Sequence, residues 1–487
     1  MSDFAKAIAE AYAAEGVAID LGRGVHDGKL APDAVVQVPL RMMNRHGLIA
    51  GATGTGKTRT LQVLAEGLFA NGVPVLMADV KGDLSGMLVP GDPSPEAPAA
   101  KRAARLGVPF EPVSFPVELF SVGGIGPGVP IRATVSDFGP QLLAKVLGAN
   151  ETQEQSLGLV FHYADEKRLP LLDLGDLRAL LTFLSSKEGK ADLEGIGGLS
   201  KATVDVLLRS MLTLDPAFFG EPQLDVADLM RTAPDGRGVV SAVQLAAVQD
   251  KPQLWSTVLM WLVAELFETL PEAGDLPKPK LVVFLDEAHL LFEDATGPFV
   301  DAIEQTVRLI RSKGVGVFFV TQVSTDVAPG VLAQLGNRVQ HALRAFTPQD
   351  AKALKATVST FPKSDLYDLE ELLPALGTGE AAVTILDEEG VPTPVVHTKL
   401  SPPRSSMVPA AQPPASALQA KYGTPVDRES AREMLAQRLK PAQPETQHVP
   451  VPRGLPRRRS TRAPRDPMAE LQKEVVRGIF GMLRRRL

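Results

Sequence analysis

Apolar positions along this chain fall into two patterns. One is the short unbroken run: Gly47-Leu48-Ile49-Ala50, Val73 to Ala78, Leu281 to Leu285 and Val315 to Val320. Runs without polar alternation suit strands covered on both faces, as in a parallel sheet. The other is the stripe at helical spacing: Leu61, Leu64, Ala65 and Leu68 after the first run, and Phe299, Ile303, Val307 and Ile310 between the third and fourth. A further strand is expected within 336–344, a helix at 348–358, and a hairpin over 380–398 that turns at Asp387-Glu388-Glu389-Gly390. Strands alternating with helices predict an α/β core with a parallel sheet.

The remaining stretches read differently. Phe4, Ile8, Ala11 and Tyr12 predict an N-terminal helix, and Val35 to Val38 an extended segment. Residues 88–135 are rich in Pro and Gly with short extended runs at 110–115 and 131–135. From 136 to 275 helical stripes dominate, among them Leu177, Leu180, Leu181 and Leu184, then Val204, Leu207, Leu208 and Met211, and a long apolar helix over 253–270. This predicts an α-helical domain inserted into the core. Residues 401–466 carry twelve prolines and few large apolar side chains, the composition of a disordered linker. Leu471, Val475, Ile479, Met482 and Leu483 line one face of a last helix that would dock on the body or a neighbouring subunit, with an anionic surface as the alternative. The expected division is 1–40, an N-terminal segment; 41–87 with 276–400, the core; 88–275, the insertion; 401–466, the linker; and 467–487, the terminal helix.

Two strand ends carry the candidate chemistry. Gly51-Ala52-Thr53-Gly54-Thr55-Gly56-Lys57-Thr58 fits G-x-x-x-x-G-K-[ST], the Walker A phosphate loop, between a strand and a helix. Its glycines let backbone N–H groups turn inward around a phosphate chain, Lys57 brings a charge to the β/γ-phosphates, and Thr58 offers a hydroxyl to Mg²⁺. Leu281 to Leu285 runs into Asp286-Glu287, the Walker B pattern: Asp286 would hold Mg²⁺ through water and Glu287 would act as general base. The last strand of the four ends in Thr321-Gln322, where Gln322 could sense the γ-phosphate or orient water. The second run ends in Asp79-Val80-Lys81-Gly82-Asp83, whose carboxylates could reach the metal or equally cap the next turn. A phosphate loop at a strand end makes the core RecA-like, a P-loop nucleotide hydrolase with ATP and Mg²⁺ as ligands. No Asn-Lys-x-Asp motif argues for guanine.

Composition adds three points. The 487 residues suffice for two or three domains. There is no cysteine, which excludes disulfides and thiolate chemistry and fits a cytoplasmic setting; no signal peptide or transmembrane run is evident. The net charge of −6 is uneven: residues 401–487 hold 17 Lys/Arg and 7 Asp/Glu, leaving 34 and 50 for residues 1–400, or +10 against −16. A basic tail on an acidic body suits an anionic partner or a solvated tail.

The chain resembles the HerA/FtsK group of hexameric ATPases, and more closely a bacterial family of HerA-like helicase/ATPases. Asn44 to Thr58, Met77 to Leu84, Phe284 to Phe292, Arg308 to Gly316 and Gln334 to Thr347 carry the resemblance, which spans 40–400. It implies a homo-oligomeric ring, a hexamer, with ATP between subunits and DNA as the translocated or unwound partner. It also implies an arginine given to the neighbour's γ-phosphate, with Arg311 in the matching position and Arg338 as second choice, and Arg45 reaching the phosphates from its own subunit. Rings of this superfamily that move or remodel protein, and nucleotide-gated scaffolds with slow hydrolysis, are the competing readings. Archaeal HerA carries a β-barrel ahead of the core for partner binding. Only fifty residues precede Gly51 here, so a nuclease partner is not carried over.

Overall fold

The computed structural model describes residues 2–438 apart from 294 and 411–414. One twelve-stranded sheet organises them. Its strands are β1 (Ala18–His26), β2 (Lys29–Pro39), β3 (Gly47–Ala50), β4 (Val75–Asp79), β5 (Val117–Val122), β6 (Val129–Ile131), β7 (Val240–Gln244), β8 (Leu281–Leu285), β9 (Val315–Thr321), β10 (Asn337–His341), β11 (Glu380–Thr384) and β12 (Val396–Leu400). The order is β2-β1-β12-β11-β10-β3-β9-β8-β4-β7-β5-β6. From β10 to β6 every pair is parallel; from β10 outward to β2 every pair is antiparallel.

The unbroken apolar runs have a plain cause in this arrangement. Along β8, Leu281, Val283 and Leu285 enter the core on one face, and Val282 and Phe284 enter the core on the other. β9 divides in the same way, Val317 and Phe319 against Phe318 and Val320. Each such buried side chain contributes about 1.5–3 kcal/mol of transfer free energy. One face is covered by the helices of 136–310, the other by helix Lys57–Ala70 and the N-terminal helix Asp3–Ala11.

Three differences from the sequence reading stand out. Residues 88–275, expected as a mostly helical insertion with extended runs at 110–115 and 131–135, supply β5, β6 and β7, which extend the core sheet beyond β4. Short buried strands lack a period that would separate them from helix segments. Residues 18–39 form a hairpin, turned at Asp27-Gly28 with positive φ at both, that joins the same sheet beside β12. Part of the Pro-rich stretch is also packed. Buried Glu66 accepts the Arg404 and Ser405 N–H groups and the Ser405 hydroxyl, and helix Ala431–Arg438 buries Leu435 in the helical layer. The expected terminal helix, and most of the basic tail, lie outside the described residues. No helix among the described residues is long and apolar enough to cross a membrane.

Candidate active site

In an open parallel sheet, ligands gather at the carboxyl ends of the strands, and here the candidate residues of the loops meet at that edge. β3 delivers Gly51, whose N–H donates to the Gln322 carbonyl at 3.0 Å. The Ala52 N–H donates to the Ala342 carbonyl, just past β10, at 2.8 Å. Gly51, Gly54 and Gly56 have φ of +150°, +79° and +115°, so the loop curls where side-chained residues would be strained. A Cβ on Gly51 would stand 2.5 Å from the Cβ of His341. Thr55 closes the loop with its hydroxyl on the Ala52 carbonyl at 2.7 Å, while Thr53 and Gly54 stay exposed. Helix Lys57–Ala70 starts at the loop, with Thr58 half-buried in its first turn. Its free N–H groups and dipole favour an anion there.

Lys57 is 7 % exposed, and its Nζ donates to the carbonyls of Gly51 at 2.6 Å and Ala52 at 3.3 Å. Burial lowers its proton affinity and the nearby Glu287 charge raises it. An ammonium folded onto loop carbonyls is ready to exchange them for phosphate oxygens.

β8 places Asp286 and Glu287 two strands from β3, with β9 between. Asp286 is 2 % exposed and its Oδ2 has no hydrogen-bond partner. Burial, then the adjacent Glu287 charge, push its carboxyl up to about 7. A buried carboxylate oxygen without a partner, within electrostatic reach of Lys57, fits a divalent cation, and Thr58 in the first turn of the helix offers a second protein oxygen. Glu287 adopts the left-handed conformation, φ 48° and ψ 47°, a rare state for a side-chained residue and one that sites tend to impose. Its Oε1 is ion-paired with Lys81, and its Oε2 lies 3.3 Å from His289 Nδ1.

In the turn after β4 the two aspartates differ: Asp83 makes no cap bond and its Oδ1 is buried without a partner. Asp79 is fully buried and accepts N–H bonds from Gly82 at 2.7 Å and Leu84 at 3.2 Å, and an amide bond from Gln244 at 3.0 Å. It caps the turn; its oxygens are spent. What the turn delivers to the site is Lys81. Sequence reasoning gave Lys81 no task, although it stands inside the quoted Asp79-to-Asp83 motif. Gln322 is exposed at the end of β9 and lines a cavity of about 470 Å³ with His289, Phe292, Glu293, Val323 and Asp326.

The three arginines are elsewhere. Arg45 precedes β3 and Arg311 precedes β9, so both stand at the amino edge of the sheet, across the strands from the loop. β3 alone accounts for roughly 10 Å of that separation, which overturns the expectation that Arg45 reaches phosphates held by its own subunit. Arg45 and Arg311 are neighbours: burial and then the Arg45 charge lower the proton affinity of Arg311. Arg338 is committed within its own chain, donating to the carbonyls of Leu335, Thr360 and Leu332 at 3.2, 2.9 and 3.3 Å. Those bonds give it a structural task in its own chain.

Sheet order, loop and carboxylates together define the P-loop ATPase fold. The unbound bacterial conjugative coupling protein TrwB superposes with a TM-score of 0.51 at 16% identity, over 84% of this chain and 94% of that one. TrwB in complex with the non-hydrolysable ATP analogue ADPNP gives 0.51 at 15% identity, over 82% and 97%. Within that class, the family model described as Helicase HerA-like C-terminal matches residues 26–453, and the chain belongs to that family. The DNA double-strand break repair helicase HerA of Sulfolobus acidocaldarius is 23% identical over 365 residues, covering 74% of this chain. A Methanocaldococcus jannaschii protein that carries the name Probable helicase is 24% identical over 364 residues, covering 70% of this chain. The match spans 66% and 64% of those two relatives' own lengths.

Proposed function

We propose that this chain is a Mg²⁺-dependent ATP hydrolase that assembles as a ring, binds ATP between subunits and couples its hydrolysis to movement along duplex DNA. The observation that carries the hydrolase reading is the pairing of Lys57, folded back on its loop, with Asp286, whose Oδ2 has no partner, and the adjacent Glu287 across β9. The loop N–H groups and Lys57 would hold the β- and γ-phosphates. Thr58 and Asp286 would hold Mg²⁺, which when bound neutralises charge that builds on those phosphates. Glu287 would take a proton from water as its oxygen bonds to the γ-phosphorus and the bond to the β–γ bridging oxygen breaks. Gln322, at the end of the intervening strand, would orient that water.

Arg311 at the opposite edge suits a donor to the next subunit's γ-phosphate, and Arg45 beside it would act in the same direction. In the proposed ring an amino edge would meet a neighbour's carboxyl edge. DNA as the load rests on the family and on the helicase relative, which is named for double-strand break repair.

The balance of −16 over residues 1–400 gives duplex DNA no general attraction and favours a protein load as the second reading. Turnover of ATP with and without duplex DNA, at low and moderate salt, separates the two. Several-fold stimulation that fades with salt supports the DNA motor. Turnover indifferent to DNA removes it and leaves the protein-moving ring.

A further inference from the structure

The hydrolase reading leaves Lys81 at the site without a task. Lys81 is ion-paired with Glu287 Oε1, yet its side chain is 45% exposed. The turn that carries it is fixed from below, by the three bonds to Asp79 and by the Gln249 side-chain amide on the Val80 carbonyl. A rigid base thus bears a long arm that is half free. At the other end of the contact, Glu287 is almost fully buried on a left-handed backbone, so of the two partners the lysine is the one able to move. Lys81, Lys57, Asp286 and Asp83 share one electrostatic neighbourhood, and the two ammonium groups repel each other within it. Two lysines within electrostatic reach of each other, one of them in the phosphate loop, suit an anion of several charges.

We propose that Lys81 is a latch that responds to the γ-phosphate. It pairs with Glu287; when ATP fills the loop, its ammonium passes to the terminal phosphate and leaves the carboxylate free for water. A carboxylate locked to an ammonium is a poor base, and ADP lacks the group that draws the lysine away. The latch therefore ties release of the base to the presence of a triphosphate. It rests on the hydrolase reading.

The test is equilibrium binding of ATPγS and of ADP to the full chain, wild type, Lys81→Ala and Lys81→Arg, together with steady-state turnover. Lys81→Ala is expected to weaken ATPγS about ten-fold while ADP stays within about two-fold, and to lower kcat about ten-fold. Lys81→Arg is expected to recover most of the ATPγS affinity, which a merely structural lysine would not require. An ATPγS-to-ADP affinity ratio in Lys81→Ala equal to that of wild type overturns the latch. A wild type that binds both nucleotides but hydrolyses no ATP overturns the hydrolase reading instead, and the latch with it.

Discussion

Thr60 Oγ1 and His341 Nε2 lie 2.8 Å apart, a buried bond between the first turn of the phosphate-loop helix and the last residue of β10. Burial, then the Lys57 charge, push the His341 ring down to about 3, so it packs as a neutral ring against Gly51 and Gly56. The loop is therefore braced from the β10 side as well as by its own glycines. Thr60→Val keeps the shape and leaves the imidazole nitrogen unpaired. It is expected to cost about 1–2 kcal/mol, read from the urea midpoint.

Arg311 and Arg338 should part company on mutation. Arg338→Ala strips three main-chain carbonyls of a charged donor and is expected to destabilise the fold by about 2–3 kcal/mol. Arg311 is exposed, and Arg311→Ala should leave the melting temperature unchanged while abolishing turnover. Mixing Arg311→Ala subunits with Glu287→Gln subunits, each inactive alone, should restore turnover. No recovery in the mixture would argue against an arginine given to the neighbour.

Much of this site is legible in the sequence. The phosphate loop announces itself because glycines, lysine and threonine stand at fixed spacing between a strand and a helix. Asp286-Glu287 stands at the end of a run whose unbroken apolarity reflects burial on both faces. What sequence could not give is distance across the fold. Arg45 stands six residues before Gly51, yet β3 carries those six residues from one edge of the sheet to the other. Lys81 stands over two hundred residues from Glu287 and meets it only because β4 and β8 are neighbours. β7 is not legible because its five residues, Val240 to Gln244, are all buried and carry no period.

His46 provides a pH test of the sheet. Its Nδ1 accepts the Val317 N–H at 3.0 Å, and burial pushes the ring down to about 4. The unfolded chain takes up a proton near pH 6.5 that the folded chain refuses, so stability is full above that value and falls as the pH drops toward 4. The loss should reach about 2 kcal/mol by about pH 5. Asp79 and Asp286, pushed up to about 6 and about 7 by burial, work in the opposite direction over the same range. The comparison is therefore with His46→Asn, whose urea midpoint relative to wild type should be higher at about pH 5 than at about pH 7.5.

Glu66 fastens residues 404–405 to the phosphate-loop helix through three bonds to one buried carboxylate. Glu66→Ala should cost about 2–3 kcal/mol and expose the Arg404 bond to trypsin. Limited proteolysis should show cleavage there in the variant before it appears in wild type.

The central claim is hydrolysis at Asp286 and Glu287 of a nucleotide held by Lys57. The most direct measurement sets ATP binding beside phosphate release for wild type, Lys57→Ala and Glu287→Gln. Loss of the base should leave Glu287→Gln binding ATP as wild type does while turnover falls about 100-fold or more. Lys57→Ala should lose both. A Glu287→Gln protein that turns over ATP at the wild-type rate would contradict the account, because the carboxylate beside Asp286 would then not be the base.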